Sequence, residues 1–205
     1  MKSVEMVESG ETKPSPRQGV IGLWDRFIGP GATRAENALI LLWAALCTAG
    51  VVAYALTADL GWSALQLAVV ALLAFDIGGG VPANAANCAK RWYHRPGQGF
   101  RELFGFPLIH VHPFALALVF PGFGWGVAAV IYVYLLVAAA VILLAPLYVK
   151  RPVAFVLYSV ALLGSLYALG VPAGLEWFAP LFFLKLLVAH LLPGEAYRPY
   201  GEEAV

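Results

Sequence analysis

The chain has 205 residues, of which 61% are apolar and only 12% charged, with a formal net charge of +1. Soluble domains carry about twice that share of charge, so the composition excludes an ordinary water-soluble domain. It also offers nucleic acid no basic surface. The two cysteines, Cys47 and Cys88, are expected at different depths, which argues against a disulfide framework.

Residues 1–19 are rich in Glu, Ser, Pro and Lys. They are expected to form a disordered cytoplasmic leader, because they hold too little apolar surface to offset the entropy of ordering. Residues 20–32 open with a short amphipathic stretch, VIGLWDRFI, expected to lie along the membrane surface with Trp24 and Phe27 dipping in. No cleavable signal peptide is visible, since the first apolar run starts only near Asn37.

A helix needs about 20 apolar residues to cross the hydrocarbon core. Within 33–193 six segments meet or approach that length: 37–57, 62–81, 103–120, 125–148, 153–170 and 175–192. The breaks between them carry stop signals, DLGW, PGQG, PGFG, KRP and GVP, and LPGE closes the last. Thr33-Arg-Ala-Glu36 reads as a capping box opening the first span. Pro82 follows Gly78-Gly79-Gly80 in the second segment, and Pro107 and Pro113 interrupt the third, so both are expected to kink. The expected fold is an all-α polytopic transmembrane bundle of six spans, followed by a polar cytoplasmic tail over 194–205.

Positive charge orients these spans. Arg26 and Arg34, then Lys90, Arg91, Arg95 and Arg101, then Lys150 and Arg151, and finally Arg198 all fall on one side. The opposite loops hold no Lys or Arg, and Trp62, Trp125 and Trp177 open spans from that face. The positive-inside rule puts both termini in the cytoplasm of a multi-pass cell-membrane protein.

Ionisable groups at membrane depth are costly and mark candidate sites. Asp76 lies fourteen residues after Trp62, about 21 Å from the outer face. Lys185 is expected at a matched depth, where an ion pair with Asp76 would offset the burial of both. At 100° per residue Asp76, Gly80, Asn87 and His94 share one arc of the second helix, with Asn84 slightly off it. That arc suits a polar cavity, while the three glycines suit close helix packing equally well. His110 and His112 precede Pro113; an extended stretch there would turn both imidazoles to one side.

Three functions follow. In the first, Asp76, His110, His112 and His190 hold zinc or another divalent metal in a site open to the cytoplasmic leaflet. Asn84, Asn87 and Lys185 do the catalytic work of orienting substrate and stabilising a developing anion. The protein would then be an intramembrane hydrolase of a lipid or other amphiphile. In the second, Asp76 and the broken second helix serve a small transporter or channel. In the third, the chain is a non-catalytic subunit, with histidines free to ligate haem. Membrane lipids are the expected partners, and an oligomer is compatible with all three. No Walker loop, dinucleotide fingerprint, HExxH, CxxC or GxSxG motif is present.

Overall fold

The structure, a computed structural model, describes residues 15–194. Most of the expected leader, and the tail from residue 195 on, lie outside the described residues. Among the described residues all regular structure is helical: α1 (Gly19–Ile28), α2 (Arg34–Thr57), α3 (Ala64–Ala85), α4 (Asn87–Tyr93), α5 (Phe100–Ile109), α6 (His112–Val119), α7 (Trp125–Leu144), α8 (Leu147–Tyr167) and α9 (Phe178–Phe183). The last runs on without a break as a π-helix, Leu184–His190.

Five helices are long and apolar enough to cross a membrane: α2, α3, the α5–α6 pair, α7 and α8. Large apolar side chains point outward from all of them, among them Leu42, Leu72, Leu118, Val133 and Val156. A bundle apolar on its outside as well as its inside suits lipid surroundings.

The sixth expected span is a shorter element. Its six α-helical and seven π-helical residues reach about 20 Å, less than the hydrocarbon core of about 30 Å. The reason is its position. This helix packs against α3, α5, α7 and α8, and Phe178, Phe182, Lys185, Leu186 and Leu187 are all buried. It is the core of the bundle, enclosed by protein along its length. By contrast α2 packs almost wholly on α3 and exposes most of its length.

The capping box at Thr33 forms as expected: Glu36 N–H donates to Thr33 Oγ1 at 3.1 Å, and Thr33 N–H donates to Glu36 Oε2 at 2.8 Å. A second box, Ser63 with Gln66, opens α3. The amphipathic segment folds as α1, with Val20, Ile21, Leu23 and Phe27 exposed. Trp24 turns inward instead, and its Nε1–H donates to Asn37 Oδ1 at 2.7 Å. Both cysteines are free.

The glycines of α3 serve packing and the site together. A Cβ at Gly78 would meet the Cys47 side chain and one at Gly79 the Cβ of Ala44, so these two let α2 approach. A Cβ at Gly80 would overlap the Lys185 stem. The helix continues through Pro82 and breaks at Ala86, where ψ is 148°. Just before that break Asn84 Nδ2–H donates to Gly80 O at 2.8 Å. This side-chain bond competes for the carbonyl of the preceding turn and loosens the helix end. Asn87 therefore opens a separate helix, α4, and His94 caps its far end, so neither continues the face of α3.

Candidate metal centre

Three elements meet near the middle of the bundle. Helix α3 supplies Asp76, the π-helix supplies Lys185, and the break between α5 and α6 supplies His110 and His112. Lys185 is 1% exposed, and its Nζ donates to Asp76 Oδ2 at 2.7 Å. His112 Nε2 stands 3.3 Å from the same oxygen. A π-helix is rare and occurs frequently at functional sites, and here it carries the one lysine of the core helix.

The helix break is what brings the two histidines together. Pro113 cannot donate to the turn before it. His110 takes φ −83° and ψ 69°, and Val111 N–H donates to Ile109 O at 2.9 Å. That is an inverse γ-turn, not the extended stretch expected from the sequence, and it leaves the two rings 5.1 Å apart. The interrupted ladder is repaired from outside: Tyr132 OH on α7 donates to Leu108 O at 2.7 Å, a carbonyl the break would otherwise orphan in a water-poor layer.

Hydrogen bonding fixes which ring nitrogens carry protons. His110 Nδ1 lies 2.6 Å from Phe106 O; a carbonyl only accepts, so Nδ1 holds the hydrogen and Nε2 the lone pair. His112 Nε2 faces the Asp76 carboxylate, while its Nδ1 is buried without a partner. Asp76, His110 and His112 each offer a ligand atom, and these atoms lie within 4.8 Å of one another.

His190 is placed elsewhere. Its Nδ1 is 3.3 Å from Asn84 Oδ1 and its Nε2 is 3.3 Å from Leu103 O. The Phe106 ring lies against both His190 and His110, with centroids 4.2 and 4.4 Å away, so an apolar ring stands between the two histidines. Asn84 is committed to His190 and Gly80, and Asn87 begins α4 beyond the helix break. No protein family matches the chain, and no curated protein or solved structure is significantly similar to it. The reading of the site therefore rests on its geometry.

The basic end of the core helix holds a second polar cluster. Lys90 Nζ donates to Ala189 O and, at 2.6 Å, to Leu192 O. His94 Nε2–H donates to His190 O at 2.8 Å. These cations and donors satisfy carbonyls that a helix C-terminus leaves unpaired. Burial pushes the Lys90 ammonium down to about 8. The spacing Lys90 to His94, four residues on one helix face, was the signal in the sequence for this cap.

Proposed function

We propose that this protein is a metal-dependent intramembrane enzyme in which Asp76, His110 and His112 bind one zinc-type divalent ion. One observation carries the reading. Two imidazole nitrogens, His110 Nε2 and His112 Nδ1, have no hydrogen-bond partner among the described residues, and both rings sit beside a carboxylate. Three protein ligands are the number that catalytic zinc sites use, leaving a coordination position open, whereas structural sites are closed by four.

The bound ion would lower the pKa of water and polarise an ester or amide carbonyl, which makes hydrolysis of an amphiphile the reaction this donor set suits best. The protein's own groups prepare that chemistry. The Phe106 carbonyl holds His110 in one tautomer, as the outer partners of metal-bound histidines do. Lys185 engages Asp76 through Oδ2 and leaves Oδ1 available. The basic end, with Arg91, Lys150 and Arg151, faces the cytoplasm by the positive-inside rule, which puts both chain ends on that side.

Metal analysis tests the reading. Protein purified without chelators should hold about one divalent ion per chain. The ion should be lost in His110→Ala and His112→Ala and kept in His190→Ala. Metal-free wild-type protein would overturn the proposal. It would favour the second reading, for which the short Asp76–Lys185 contact speaks: a carboxylate already neutralised by an ammonium can serve as the proton site of a transporter. Liposome flux lost in Asp76→Asn would then support that reading. An absorption spectrum on the same sample reports haem directly.

A further inference from the structure

The site has a side facing the membrane. Asp76 is 31% exposed and His112 24%, although both sit within segments long enough to span. On α3, Leu65 and Leu72 share the Asp76 stripe, since offsets of eleven and four residues bring them within about 40° of it. Leu72, one turn from Asp76, is 70% exposed. Across the seam, Ile109 and Val111 flank His110 and are 69% and 53% exposed. The same stripe of α3 closes below the site, where Ala83 is buried. The polar groups therefore open sideways, through the α3–α6 seam, between large apolar side chains.

Depth restricts what can reach them. Asp76 has twelve residues of α3 before it and nine after it, which is about 18 Å and about 14 Å of helix. It lies within about 3 Å of the helix midpoint. A phospholipid's ester groups lie at the hydrocarbon boundary, about 15 Å from the midplane of a 30 Å core. Drawing a charged headgroup down to Asp76 would bring its full desolvation cost.

We infer that the site takes an uncharged amphiphile sideways from the bilayer: a long-chain lipid with one small polar group, such as a neutral ester or amide, or the long-chain alcohol that ester hydrolysis releases, that can sink to mid-membrane. Its polar group covers the exposed edge of Asp76 and His112, and its chain lies along Leu65, Leu72 and Val111. A second copy of this chain is the other way to cover that edge. Membrane helix interfaces favour small residues that let backbones approach. Bulky side chains dominate this seam instead, and Gly78 and Gly79 are already occupied by α2. The inference deepens the metal-enzyme reading and rests on Asp76, His110 and His112 being a site for chemistry.

Photolabelling in phosphatidylcholine vesicles tests it. One sample carries a photoactivatable long-chain alcohol, the other a photoactivatable phosphatidylcholine with the same chain. The alcohol should label peptides around Leu72 and Val111 at least fivefold more than those around Val160, which is exposed on α8 about 14 Å along the helix from Arg151. The phosphatidylcholine should label these regions evenly. Leu72→Trp, a change on an exposed face, should cut alcohol labelling of the seam at least threefold and leave metal content unchanged. Even labelling by both probes, or cross-linking of one chain to another through the seam, would overturn the inference. Metal content measured on the same samples separates the two failures. Metal with even labelling removes the entrance and keeps the metal site. Seam labelling without metal removes the metal and keeps the amphiphile.

Discussion

Two histidine clusters lie on opposite sides of the Phe106 ring, and they differ in what their nitrogens do. Toward the basic end, both nitrogens of His190 face oxygen acceptors, and Lys90 and His94 close the carbonyls of the same helix end. Both ring nitrogens there sit against protein oxygens at 3.3 Å, which blocks the approach of a metal to either. Near the middle of the bundle, His110 and His112 each keep one nitrogen without a partner, beside a carboxylate that a buried lysine holds in place. The first cluster has the chemistry of a helix cap and the second that of a binding site. Residue type alone does not separate them; the accounting of donors and acceptors does.

The largest expected effect breaks the second cluster at its ion pair. Asp76→Leu leaves Lys185 as a buried charge without its counter-ion, which should destabilise the protein by about 3 kcal/mol or more in a detergent unfolding titration. The double variant Asp76→Leu with Lys185→Met should recover most of that loss, because breaking a buried pair is far more damaging than replacing both partners by apolar groups. A double variant as unstable as the single would mean that the pair is not what holds α3 to the core helix.

Gly80→Ala should follow, at about 2 kcal/mol, since the added Cβ overlaps the Lys185 stem in a packed core. Gly50→Ala is the control, because a Cβ there meets no neighbour, and it should be close to neutral. Equal behaviour of the two variants would show that Lys185 has room to move.

A matched pair of histidine variants sharpens the contrast between the clusters. His190→Ala removes a buried ring that partners Asn84 and Leu103, and should lower stability by about 1–3 kcal/mol with metal content retained. His112→Ala should remove the metal with a smaller change in stability of the metal-free protein. Loss of metal in His190→Ala would place both clusters in one site.

The sequence carries the helical class, the apolar spans, the first capping box and the pairing of Asp76 with Lys185, because composition, spacing and the cost of buried charge act locally or pairwise. It carries less of the site. Asp76, His110 and His112 are legible as a group, since Pro113 announces a break between helices. The turn that joins them is not, because an inverse γ-turn and an extended residue leave the same trace in sequence. His190 looks equivalent to the other two histidines until Phe106, an ordinary apolar residue of the third span, is placed between them. The length of the sixth helix is hidden for a related reason. An apolar run does not say whether lipid or protein surrounds it, and only packing shows that 178–190 is enclosed.

The smallest expected effect lies far from both clusters and tests how α1 is held. Asp25 is buried on α1, and Arg17 grips its carboxylate through two side-chain contacts, Nε at 2.9 Å and Nη2 at 2.7 Å, with a backbone N–H at 2.9 Å. The Arg17 side chain holds the Asp25 carboxyl below its ordinary value of 3.8. A carboxylate depressed by folding contributes stability that is present above the unfolded value and is lost as pH falls through the folded one. Docking of α1 should therefore be constant from neutral pH down to about 4 and weaken below it. Hydrogen exchange of the α1 amides reads this directly: protection should fall on acidification in the wild type. In Asp25→Asn it should be lower at neutral pH and flat across the same range. Protection in the wild type that ignores pH down to 2.5 would show that Trp24 and Asn37, and the contact of Gly29 with the backbone of Cys88, hold α1 without help from the ion pair.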